Sequence, residues 1–560
     1  MRTTLTNAVI YTSDPLQPTV DTVVIEGGRF IAVGTHPIIR ADDSDVVHDL
    51  GGRLVLPGLI DSHVHPTSVA NSRWHVRLPW THDVDELLDF MREYARAHPP
   101  EEVPFLYFEY YPSALFADGA PTKELLDSAV SDRPVLCQDF SEHAHWVNSR
   151  MLELMGVTAS TPDPVPGLEM FARDADGEPT GHLFESVHAR FLDTMYDAMG
   201  WRPDDKVTTE SMSYVLDFLG RHGVTAVFEA VIVDESTVQA VAALDAAGDL
   251  HCHYEGGVRF RTSDDLPDAI ATVKRYDDLY GSDRVRVRTL KLFLDGTNEV
   301  GNSAVLAPQL SSCSHGDGDG AMQMGADELT QCLLTANRAD VDVHIHMVGD
   351  RAFRAGCDAV EAAKALAVDD SGAWRIQVTF AHCELVDPAD MHRPAELGVL
   401  INWTTHWSGG YFGEEAIEHL GEERWNRMYA FNAMIDSGAT LAYSSDVVTD
   451  YELGRANPFF GMQVAHTRVD PEYPLDADRY PGSVRPAADS VLSLERLLEG
   501  YTMGGAKQLR IDDRAGSIEV GKAANLVVLD TDLFQAPPTH ISDIRPAAVM
   551  FEGSVVFGGL

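Results

Sequence analysis

The chain has 560 residues, 44% of them hydrophobic, and a formal net charge of −45 carried with only seven lysines against 35 arginines. That length exceeds one minimal core and calls for a large barrel with additions, or for two to three domains. So acidic a surface argues against nucleic acid or an anionic membrane as partner, and it fits either a halophilic host or an acidic, GC-rich proteome.

No run of about 18 apolar residues is present, so no membrane span is expected. The start, Met1-Arg-Thr-Thr-Leu-Thr6, lacks the apolar core of a signal peptide, which makes the cytoplasm the expected location. Six scattered cysteines without a CxxC pair argue against a disulfide framework and a cysteine zinc site and read as buried thiols.

In chain order, residues 1–57 carry short strands around 8–11, 22–26 and 30–34, with a hairpin turn at Glu26-Gly-Gly-Arg29. Arg53 to Ile60 reads as a strand kinked at Pro57-Gly58, and Asp61, His63 and His65 follow at a spacing of two. Along an extended strand that spacing aims side chains to one side, so His63 and His65 can offer two neutral imidazoles to one metal ion. Residues from about 67 to about 200 are rich in Trp, Tyr and Pro. They carry helices near 84–97 and 123–130 and read as an inserted subdomain.

From about residue 208 strands alternate with helices. The strands are expected at 223–229, 250–254, 285–294, 341–346, 375–382, 398–403 and 439–446, with helices at 327–337, 352–366 and 428–435. With the strand before His63 this makes eight, an α/β class pattern that predicts a TIM (β/α)8 barrel over 58–510. Residues 511–560 return to strands and turns. Together with 1–57 they are expected to complete a small β-sandwich from both chain ends.

Active sites of such barrels lie at the C-terminal ends of the strands. His63 and His65 fall at the end of the first strand, Lys291 near the end of the fourth, His346 at the fifth, His382 at the sixth and Asp446 at the eighth. A divalent ion held by such residues acidifies water and polarises a carbonyl, and Asp446 can move a proton. A second His-x-His, His251 and His253, is expected to be structural, as is His344, one pleat deeper than His346. Trp146, Trp403, His406 and Trp407 are either pocket-lining or core aromatics. Ser311–Gly320 reads as a loop near the barrel mouth and lacks an EF-hand's spacing.

The chain resembles the amidohydrolase superfamily and, within it, amidohydrolase family 3, the YtcJ-like metal-dependent hydrolases. The resemblance runs through Leu56-Pro-Gly-Leu-Ile-Asp-Ser-His-Val-His65, Leu290-Lys-Leu-Phe-Leu-Asp-Gly296, His346-Met-Val-Gly-Asp-Arg351, Ala381-His382, Ser444-Ser-Asp446 and Gly516-Ser-Ile-Glu-Val-Gly-Lys522. In the insert it runs through His143-Ala-His-Trp-Val-Asn-Ser149 and Gly181-His-Leu-Phe-Glu185. It implies one or two divalent metals, zinc first and manganese as the alternative. His63, His65 and Asp446 would take the buried ion and His346 and His382 the outer one, with a CO2-derived carbamate on Lys291 bridging them.

Substrate contacts are expected at His143, Trp146, Glu185, Asp295 and His406, although Ser141-Glu142 stands where the family has Asp-Gly. The function implied is hydrolysis of a carbon–nitrogen bond other than a peptide bond in a small-molecule amide, formamide or cyclic amide. The resemblance also implies a homodimer. Ester or lactone hydrolysis, deamination, and a non-catalytic binding or regulatory barrel are the alternatives.

Overall fold

Eight strands hydrogen-bond in parallel, each to the next in chain order. They are β1 Leu59–Val64, β2 Val224–Glu229, β3 His253–Arg259, β4 Val285–Phe293, β5 Asp342–Met347, β6 Val378–His382, β7 Leu400–Thr404 and β8 Thr440–Ser444. The computed structural model describes residues 2–39, 46–81, 83–116, 121–204, 206–310, 318–369, 373–409, 416–472 and 491–560. Of the loop expected at 311–320, residues 311–317 lie outside the described residues.

Both faces of the sheet are covered, which is why the strands read as near-continuous apolar runs. The covering helices follow from their own termini. Asp234 caps Glu235–Ala247 by accepting from Ser236 N, and Gly248, at φ +81°, ends it. The first and last strands meet through specific bonds. Ser62 Oγ donates to Tyr443 O at 2.7 Å, Asp446 N to His63 O at 2.7 Å and His65 N to Val447 O at 3.1 Å. Asn402 Nδ2 and Gln508 Nε2 also donate to this seam, to Ser62 Oγ at 2.8 Å and Ser62 O at 2.6 Å.

Two strand readings shift. Pro57-Gly58 is not a kink within one strand but the step between two sheets, Leu54–Pro57 in one and β1 in the next. Any side chain at Gly58 would collide with Thr225, so the crossing needs glycine. The third strand begins at His253 rather than Leu250 and runs through Gly256-Gly257, residues that weaken strands by propensity. Here Ile232 and the Ala230 carbonyl approach too closely for a Cβ at either position.

The chain ends build two sheets. Arg2–Thr6, Thr22–Glu26, Arg29–Gly34 and Val46–Asp49 form one. Val9–Tyr11, Thr19–Val20 and Leu54–Pro57 join Leu526–Leu529, Pro546–Phe551 and Ser554–Gly558 in the other. Leu5, Val23 and Phe30 share one apolar core with Ile10, Val55, Leu526 and Met550 across them.

Between β1 and β2 the chain forms a six-stranded sheet that its aromatic, proline-rich sequence does not announce. Its strands include Leu106–Tyr111, Val135–Asp139, Ala144–Val147 and Pro179–Phe184. No described helix is long and apolar enough to cross a membrane, and the five described cysteines are buried free thiols.

Candidate metal centre and its cavity

His63 leaves β1 buried, and three groups converge on it. Asp446 Oδ1 lies 3.3 Å from its Nε2, Lys291 Nζ 3.1 Å from the same nitrogen, and His344 Nε2 3.1 Å from its Nδ1. Asp446 Oδ1 is also 3.2 Å from His65 Nε2, and its Oδ2 is 3.5 Å from His382 Nδ1. The ligand atoms of His63, His382 and Asp446 lie within 4.8 Å of one another, a spacing one cation can satisfy. His346 completes the group, with its ring centroid 4.4 Å from that of His382. All six expected strand-end residues face one cavity of about 350 Å³.

Local backbone geometry supports a built site. His382 and Asp446 adopt φ of +75° and +50°, a region that costs a non-glycine residue on the order of 1–3 kcal/mol. The seam bonds that tie residues 446 and 447 to His63 and His65 hold Asp446 in that conformation. Asp61 anchors the same loop from below, accepting from Ser445 N at 3.0 Å and Ser445 Oγ at 2.6 Å.

The electrostatics favour ligation. Burial, reinforced by Lys291 and by neighbouring imidazoles, pushes His63, His344, His346 and His382 well below the ordinary histidine value. Neutral imidazole is the form that binds metals. Lys291 is 0% exposed. Burial lowers its ammonium to about 7, Asp446 opposing and Arg259 adding to the shift.

His344 turns out to be more than core packing. Its Nε2 lies 3.1 Å from His63 Nδ1, the kind of contact that orients the ring of a ligating histidine. By contrast, His251 is exposed and His253 is buried against Phe551 at the start of β3, the opposite end from the cavity.

The expected substrate contacts divide. His143 and Glu185 line the cavity, paired at 2.6 Å, and Asn302 Nδ2 donates to the other Glu185 oxygen at 2.7 Å. Trp146, Asp295 and His406 are not among its described lining residues. Trp146 packs in the insert against Phe116 and Tyr111 and donates Nε1–H to Thr122 O. His406 is buried beside Phe460 and Trp407. Asp295 accepts from Ala304 N, Val348 N and Gly349 N, which binds the loop after β4 to the loop after β5. Burial still pushes its carboxyl up to about 7.

Other lining residues were not foreseen: Glu109, Glu142, His145, His188, Arg259 and Glu452. Arg259 ends β3, so strand-end register would have found it had that strand been placed correctly. Its guanidinium lies 4.4 Å from the Phe293 ring centroid and 3.4 Å from Glu169. His145 and His188 stand with rings 4.0 Å apart; burial pushes His188 down to about 4 and His145 well below its usual value.

A barrel with a His/His/Asp cluster at its strand ends defines a class of metal-site α/β barrels. The comparisons place the chain further: residues 46–557 match the model of the amidohydrolase family, and the chain belongs to that family. N-substituted formamide deformylase of Arthrobacter pascens is 26% identical over 560 residues, covering 98% of this chain and 96% of that protein. The exoenzymes regulatory protein AepA of Pectobacterium carotovorum is 27% identical over 444 residues, 78% of this chain and 92% of its own length. The fold matches the crystal structure of an uncharacterised metal-dependent hydrolase from Pyrococcus horikoshii with a TM-score of 0.67 at 22% identity, covering 96% of this chain and 99% of the other.

Proposed function

We propose that the protein is a metal-dependent hydrolase of carbon–nitrogen bonds other than peptide bonds, acting on small amides, formamides or cyclic amides. The observation that carries this reading is the meeting of His63, His65 and His382 on one carboxylate, Asp446, within 3.5 Å at the mouth of the barrel. The likeness to a formamide deformylase along nearly the whole chain supports the C–N choice. The cytoplasm is the proposed location.

The donor set fits a divalent ion: neutral buried imidazoles and one carboxylate, with His382 Nδ1 lacking a hydrogen-bond partner among the described residues. His63, His65, His382 and Asp446 would hold it, with zinc the first candidate and His346 open to a second ion. Such an ion supplies Lewis acidity toward a carbonyl and lowers the pKa of water.

The chain's own groups do the rest. Asp446 accepts a proton from the attacking water and returns it to the leaving nitrogen. The His143–Glu185 pair, aimed from the insert, hydrogen-bonds the substrate, and Asn302 holds Glu185 in place. Lys291, buried and without a carboxylate partner among the described residues, is the proposed carbamylation site. Its neutral amine adds to CO2, releases a proton and becomes an anionic oxygen donor.

The test is a hydrolysis screen of metal-depleted protein restored with Zn or Mn, over N-formyl, N-acyl, cyclic imide and ester substrates. Turnover of the amides that disappears on metal removal and in Asp446→Asn is the expected result; turnover of esters alone would move the protein to the alternative reading. The regulatory name of AepA keeps a binding barrel in view, and tight metal binding without turnover of any substrate would favour it.

A further inference from the structure

One wall of the cavity is built from carboxyls that the hydrolytic chemistry does not use. Glu109 comes from the insert strand Leu106–Tyr111, Glu142 from the turn after Val135–Asp139, and Glu452 from the 3-10 turn Asp450–Ala456 that follows β8. Glu109 is paired with His75. Arg455, whose field reaches Glu452, is itself bound to Asp470 and, at 2.8 Å, to Glu472. One Glu142 oxygen is shut off from solvent and has no hydrogen-bond partner among the described residues. Burial, then the fields of Glu452 and Glu109, raise the Glu142 carboxyl well above the usual range.

Independently of the carboxyls, Thr449 lines the same cavity. The residue is 2% exposed, and its Oγ1 has no partner among the described residues. A buried hydroxyl left unbonded is unfavourable, so a ligand donor there is favoured. Phe140 and Trp407 also belong to the lining, Trp407 stacked on the His382 ring.

Glu142 with its unbonded oxygen, Glu452, which also meets the Tyr110 hydroxyl and the field of Arg455, and the unbonded Thr449 hydroxyl together fit a protonated amine. It offers three N–H donors and the missing positive charge. The whole-molecule charge of −45 draws the same kind of molecule toward the cleft.

We propose that the wall formed by Glu142, Glu452 and Thr449 binds a primary ammonium group carried on the substrate away from the bond that is cleaved. The preferred substrates are then amides or formamides with a second, basic nitrogen. This inference rests on the C–N hydrolase reading for its substrate, but the binding site stands on the wall itself.

The test uses metal-loaded full-length protein and a series of ω-ammonioalkyl formamides, each paired with the neutral isostere that carries a methyl in place of the ammonium. The best ammonium member is expected to exceed its isostere in kcat/KM by at least about tenfold. Glu142→Gln and Glu452→Gln should bring that ratio toward one. Hydrolysis of both members with a ratio at or below one in the wild type would overturn the proposal, without any variant having to fold.

Calorimetric titration with butane-1,4-diammonium separates the two readings. If no formamide is cleaved but the diammonium binds the wild type and not Glu142→Gln, the ammonium site stands and the hydrolase reading falls. No binding to the wild type at millimolar concentration ends the proposal in either case.

Discussion

The floor and the wall of the cavity are made differently. The floor is the barrel's own: His63, His346, His382 and Asp446 sit at strand ends, fixed by seam bonds and by left-handed backbone at residues 382 and 446. The wall is assembled from the insert and one loop: Glu109, the adjacent Glu142 and His143, and Glu185 arrive from three separate stretches of the insert, and Glu452 from the turn after β8. Rigid strand ends suit chemistry whose geometry is dictated by an ion, while inserted elements can be exchanged to suit a substrate. The comparison therefore predicts that damage to the floor abolishes turnover and damage to the wall changes selectivity.

The largest effect should come from Asp446→Asn, which keeps the shape but removes the proton acceptor. A fall in kcat of about 10²–10⁴ is expected, measured on metal-loaded protein with the melting temperature retained. A loss below tenfold would leave the floor without its proposed base.

Next is His344→Leu, which leaves every proposed ligand in place and removes only the partner of His63 Nδ1. Metal affinity, followed by competition with a chromophoric chelator, should drop by about 10–100-fold. Unchanged affinity would mean that the ring of His63 is held by its ligation alone.

A smaller and pH-dependent change is expected at the wall. Burial lowers the His143 pKa, but Glu185, with Asp139 and Asp446 adding, offsets this and leaves it raised. A folded-state value raised in this way stabilises the protein fully below the unfolded value, about 6.5, and the contribution fades as pH rises through the folded value. Glu185→Gln should thus lower the melting temperature more near about pH 5.5 than near about pH 8.5. Equal losses at both would show that the pair does not share a proton.

The smallest effect belongs to the second His-x-His. His253→Leu should leave metal content unchanged by elemental analysis, because the ring lies at the far end of the barrel against Phe551.

The floor was legible because its information is periodic. Strand-like runs, each ending in a ligand-type residue, placed His63, His65, Lys291, His346, His382 and Asp446 before any contact was known, and the structure gathers all six around one cavity. Arg259 escaped only because two glycines obscured the strand it ends. The wall carries no such period. Nothing near Glu452 in the chain points to Glu142, and the two become neighbours only when the insert folds over β8. Trp146 shows the converse error: a residue inside a matching motif whose indole is consumed by packing and one bond to Thr122 O.

The crossing at Gly58 ties the candidate metal site to the order of synthesis. Leu54–Pro57, immediately upstream of the strand that carries His63, pairs in parallel with Val9–Tyr11 and, among the described residues, antiparallel with Leu526–Leu529. On the ribosome that edge stays open until nearly the whole polypeptide has emerged, so the first two imidazoles are not clamped from behind during most of translation. If the candidate site holds a cation, loss of the last few strands is then expected to weaken its retention by a barrel whose eight staves are all still present.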